Sequence, residues 1–251
     1  MTTEPTPTSP EKRKRKRVAN RAGLVAPDRA DTQRVSDDLA YVAPMATFLL
    51  LTQVGAWWKS LYPASYVAKA IIVAIMLFAL RRHFTKIRWN HWWLGVIVSV
   101  IGIFQWVGMQ LWLQKHFEFF KPSPDVFNPF DTFATPAVLW SFIVIRIASA
   151  TLVVPVMEEL FWRDYLWRYI LAPNDFKLAK VGEKHWMPIV IVSGAFGLVH
   201  GNWWLTAIVW GLMIACLLVY TKSLGACIIA HGTTNLLLAL YVLRTKDWAF
   251  W

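Results

Sequence analysis

A chain of 251 residues with 57% apolar and 16% charged residues, sixteen tryptophans and a mean hydropathy of +0.41 has the composition of a protein built into a lipid bilayer, not that of a soluble domain. The formal charge of +11 does not point to nucleic acid, because six of the basic residues form one run, KRKRKR at 12–17, with no nucleic-acid recognition motif beside it. Cys216 and Cys227 stand in apolar stretches without metal-thiolate spacing, which excludes a disulfide framework or a zinc-thiolate site.

Residues 1–38 read as a disordered basic tail on the cytoplasmic side, its lysines and arginines suited to anionic lipid headgroups. The tail has no cleavable leader pattern, so insertion is assigned to internal spans within a transmembrane domain at 39–251. Apolar segments follow at about 40–58, 64–80, 92–113, 136–157, 187–200, 203–220 and 224–243, the fifth short enough to be tilted or re-entrant. EELFWRDYLWRYILA, 158–172, mixes charges and aromatics at helical spacing and either continues the fourth span past Pro155 or forms a helix of its own. The expected fold is therefore an all-α polytopic membrane bundle of seven or eight helices. Lys and Arg set its orientation: the tail, RRHFTKIR at 81–88 and Lys177, Lys180 and Lys184 fall on one side, while the charge-balanced loop 114–135 falls on the other. That puts the N-terminus in the cytoplasm and the glutamate pair in the cytoplasmic half.

Few ionisable groups adjoin the apolar runs, and such groups held among membrane helices mark function by default. In EELFWR, Glu159 and Arg163 are one helical turn apart and can pair, which leaves Glu158, about 100° round the helix, to face elsewhere. FGLVH puts Phe196 and His200 on one face, and HGTTN does the same for His231 and Asn235. Two imidazoles, a carboxylate and a carboxamide from three helices can converge in two ways. Glu158 can act as general base on a water while the imidazoles and Asn235 stabilise an oxyanion. Alternatively, Glu158, His200 and His231 can hold one divalent metal ion, zinc by ligand type, with an open position for water. A bland reading exists for each residue: His200 as an interfacial histidine, Asn235 as a bond across helices, Arg146 as a snorkelling charge.

EELFWR at 158–163, FGLVH at 196–200 and HGTTN at 231–235 reproduce, in order, the EExxxR, FxxxH and HxxxN motifs of the CAAX-processing and bacteriocin-processing intramembrane proteases, or Abi family. The chain resembles that family over 136–243. The resemblance implies an endopeptidase with a cavity open to the cytoplasmic side and the bilayer. In it Glu158 and His200 would activate water, His231 and Asn235 stabilise the oxyanion, and Glu159, Arg163 and Phe196 support the site. Its substrate would be a membrane-associated peptide or protein, and the short gaps between spans suit a prokaryotic inner membrane. The other readings are a non-catalytic scaffold or immunity protein of the same fold, and a proton or ion transporter.

Overall fold

The computed structural model describes residues 31–123 and 125–251. Residues 37–251 form one compact unit. The basic run at 12–17 lies outside the described residues. The first helix, α1 (Asp31–Trp57), begins before the boundary expected at residue 38.

Six more helices follow: α2 (Tyr62–Ala79), α3 (Trp92–His116), α4 (Pro136–Leu171), α5 (Trp186–Leu198), α6 (Trp204–Thr221) and α7 (Leu224–Thr245). Among the described residues, six helices are long and apolar enough to cross a membrane, with α5 as a shorter apolar helix of 13 residues. Prolines at the first turns of α2 and α4 start those helices where a missing N–H costs nothing.

The segment 158–172 continues α4; it does not form an eighth helix. Pro155 is tolerated because the helix widens just before it, with a π-helical stretch at Ser149–Val153. There the Val154 N–H donates to the Ser149 carbonyl, so the next rung of the same ladder would run from residue 155 to Ala150. Pro155 has no N–H to make it, and the Ala150 carbonyl instead accepts from Nδ2 of Asn235 at 2.8 Å. A second π-helical stretch covers Leu160–Leu166, which contains Arg163 and Asp164.

Packing within a bilayer depends on close backbone approach more than on apolar transfer. Gly232 supplies it beside the first π stretch: a Cβ there would stand 2.6 Å from the Thr151 carbonyl oxygen, so α7 can lie directly against α4. Gly201, at φ +55°, takes the left-handed turn from α5 into α6 and leaves His200 at the mouth of that turn.

The two ends of the bundle differ. One gathers Arg81, Arg82, Lys86, Arg88, Lys177, Lys180, Lys184 and Lys222, joined by bonds such as Gly225 N–H to the Arg88 carbonyl (3.0 Å) and Lys177 to the His83 carbonyl (2.8 Å). The opposite end joins the turn after α1 to the loop 117–135, with Lys59 and Asp125 2.5 Å apart, and stacks Phe120 on Trp204.

Candidate active site

Glu159 is wholly buried, and its Oε1 accepts from Nη1 of Arg163 at 3.2 Å while standing 2.8 Å from Nδ1 of His231. An ion pair this deep is tolerated only when its groups are matched, since removing one partner strands the other at about 3–5 kcal/mol. Phe196 completes the support: its ring faces the Arg163 guanidinium at 4.7 Å and lies 4.4 Å from the His200 ring.

That pairing turns the neighbouring carboxylate away, as the helical offset requires. Glu158, 7% exposed, leaves its Oε2 with no hydrogen-bond partner, 3.9 Å from Nε2 of His231. The tautomers follow from what each imidazole faces. His200 Nδ1 is 2.6 Å from the Phe196 carbonyl, which can only accept, so Nδ1 carries the hydrogen and Nε2 keeps its lone pair. His231 likewise donates Nδ1–H to the Glu159 carboxylate and turns Nε2 towards Glu158. Asn235 spends one N–H on Ala150, and the rest of its carboxamide is left for the cavity wall.

Glu158, Phe196, His200, His231 and Asn235 line one cavity of about 120 Å³, so the structure brings together all four expected catalytic residues, with Glu159 and Arg163 behind them. Trp106 and Trp210 also line it, and sequence reading passed over both because an indole inside an apolar span gives no sign of which way it faces. Along α4, Glu158 lines this cavity, while Arg168 lines a separate one of about 480 Å³ at the basic end. Between them Glu159, Leu160, Trp162, Arg163, Asp164 and Trp167 are each at most 4% exposed, a buried stretch of α4 that separates the two cavities.

The donor set suits a divalent cation in one respect: each imidazole has Nδ1 held by an acceptor, the arrangement that readies Nε2 for a metal. The spacing meets it in part: Glu158 Oε2 and His231 Nε2, 3.9 Å apart, lie within reach of one ion, but among the described residues no three His, Cys, Asp or Glu side chains form a ready ligand set.

Fold and site together define a class: an integral membrane bundle of apolar helices with a carboxylate, two imidazoles and a carboxamide enclosed among them. Residues 139–237 match the family model described as Rce1-like, type II CAAX prenyl endopeptidase Rce1-like. The resemblance to the CAAX protease family is thereby borne out for the region that holds all three motifs. No curated protein and no solved structure matches the chain.

Proposed function

We propose that this protein is a membrane endopeptidase that hydrolyses a peptide bond of a membrane-associated peptide or protein with a water activated by Glu158. The observation that carries this reading is the unpartnered Oε2 of Glu158, buried in a cavity it shares with His200, His231 and Asn235. A buried carboxylate oxygen without a partner costs stability, and the site gives it a use.

No three side chains form a ready metal-ligand set among the described residues, and the chain's own side chains suffice for each step. Glu158, helped by the Nε2 lone pair of His200, takes a proton from a water, whose oxygen attacks the substrate carbonyl carbon. The oxyanion receives the free N–H of Asn235, while His231, its Nδ1–H held by Glu159, keeps its Nε2 beside Glu158. Glu158 then passes its proton to the amide nitrogen, the C–N bond breaks, and acid and amine leave. Arg163 and Phe196 hold Glu159 and His200 in place.

The surroundings are part of the proposal. The basic end faces the cytoplasm of a prokaryotic cell, the run at 12–17 attracts anionic headgroups, and nucleic acid is not a partner.

The test is peptidase activity of detergent-purified protein beside Glu158→Gln, on a panel of acylated and unacylated peptides, with metal content measured on the same samples. Loss of the general base is expected to lower kcat by about 10²- to 10⁴-fold, with no stoichiometric metal in the wild type. Equal cleavage by both proteins would sink the reading. Stoichiometric zinc that disappears with Glu158→Gln would replace the side-chain mechanism with the metal-bound one.

A further inference from the structure

The cavity of about 480 Å³ at the basic end is lined by Lys86, Arg88, Arg168, Lys180, Lys184 and Lys222, with Glu183 as the one carboxylate in its wall. Arg168, 4% exposed, is already engaged: its Nη1 donates to Asp164 at 2.6 Å and to the Thr85 hydroxyl at 2.8 Å, and its Nε donates to the Ala179 carbonyl at 2.9 Å. Glu183 is turned back on its own loop, where its carboxylate accepts the Lys180 N–H at 3.1 Å. Among the described residues none of the other five cations forms an ion pair. The space between them is therefore strongly positive.

The loop that brings Lys180 and Lys184 to this space is fixed at three points. Arg168 holds its Ala179 carbonyl, Nζ of Lys222 donates to the Gly182 carbonyl, and Nε1–H of Trp167 donates to the Glu183 carbonyl at 3.1 Å. Gly182 takes φ +66°, and a Cβ there would stand 2.7 Å from the Leu218 carbonyl oxygen, so a glycine lets the loop lie against α6. Holding like charges together in this way costs free energy unless an anion joins them.

The surroundings place the cavity at the level of lipid headgroups. Trp89 and Trp186, 50% and 68% exposed, directly follow the basic segments 85–88 and 179–184 or come within two residues of them, and tryptophans gather at that depth. Val181 and Leu224 add apolar wall to the same cavity, which suits the carbon skeleton that carries a headgroup.

We propose that this cavity binds a phosphate group, carried by an anionic phospholipid of the leaflet at the basic end or free in solution. A phosphate spreads its charge over several oxygens that lysine ammonium groups can approach from different sides, whereas Arg168, the buried fork that would favour a planar carboxylate, is engaged. Basic pockets between membrane helices take such headgroups. The run at 12–17 would attract the same lipids without any cavity, so the test has to separate the two.

Purified full-length protein in neutral detergent is titrated with fluorescent phosphatidylglycerol, with fluorescent phosphatidylcholine and, by calorimetry, with inorganic phosphate. The same titrations are made on Lys180→Gln/Lys184→Gln, on Lys180→Arg/Lys184→Arg and on Lys12→Gln/Lys14→Gln, which removes equal charge from the basic run. Lys180 and Lys184 are exposed, so their exchange should leave the fold intact. Phosphatidylglycerol is expected to bind about 10- to 30-fold more weakly to Lys180→Gln/Lys184→Gln, with wild-type affinity kept by the arginine pair and little change in Lys12→Gln/Lys14→Gln. Phosphatidylcholine, whose phosphate is balanced by its own ammonium, should bind weakly and alike to all four proteins. If inorganic phosphate alone shows the dependence on Lys180 and Lys184, the site stands and its ligand comes from solution. An equal loss in Lys12→Gln/Lys14→Gln, or binding of both probes that ignores Lys180 and Lys184, overturns the proposal.

Discussion

Glu159 does more for the site than its distance from any substrate suggests. It joins Arg163 to His231, and among the described residues Arg163 forms an ion pair with no other carboxylate. Glu159→Ala should therefore destabilise the protein by about 3–5 kcal/mol, through an arginine left buried and unpaired, and thermal unfolding in detergent would measure it. Asn235→Ala is expected to act differently. It should lower kcat by about 10²- to 10³-fold as an oxyanion donor is lost, and also cost about 1–3 kcal/mol by stranding the Ala150 carbonyl. A variant with full activity and reduced stability would make Asn235 a tie between helices only. At this scale the sequence was legible: the one-turn spacings of Glu159 with Arg163 and Phe196 with His200 are met by real contacts. The tie from Asn235 to Ala150 was not, because it depends on which backbone carbonyl lacks a donor, and no residue type announces that.

At the level of the element, α4 explains how a proline can sit three residues before the key carboxylate without ending the helix. The widened turn at Ser149–Val153 absorbs Pro155, frees a carbonyl and presents it to α7. Pro155→Ala would supply the missing N–H, which competes with Asn235 for the Ala150 carbonyl. The expected outcome is a protein at least as stable as the wild type but slower, with kcat falling more than KM rises. Parallel loss of stability and activity would mean that the proline shapes the helix and nothing else. Sequence alone left the course of α4 past Pro155 open, since proline ends most helices and the exception requires a neighbouring helix to satisfy the freed group. The short α5 was readable from its length, but not the fact that its end delivers His200 beside Trp106, a contact between distant helices.

Across the whole molecule, charge asymmetry and cavity position are separate facts that meet. The basic end carries Arg81, Lys86, Lys180 and Lys184, while a cavity of about 730 Å³ lies at the other end, between Lys59, Asn202 and Trp248. Orientation is measured by placing single cysteines in a Cys216→Ala background. A membrane-impermeant thiol reagent should label Ser123→Cys in intact cells and Lys184→Cys only after permeabilisation; the reverse pattern inverts the assignment. The expectation of a cavity open to the cytoplasm came from the family resemblance; among the described residues the catalytic cavity shares Asn235 and Leu238 with one neighbouring cavity, which in turn shares Trp251 with the one at the less basic end.

The buried stretch of α4 between Glu158 and Arg168 bears on something other than peptide hydrolysis. Between the carboxylate of Glu158 and the basic face, α4 buries Leu160, Trp162 and Trp167 and pairs Glu159 with Arg163 and Asp164 with Arg168. Packed side chains on this helix set the cavity of Glu158 apart from the basic end. A peptidase of the proposed kind would admit water to its carboxylate without offering protons, along α4, a way past it.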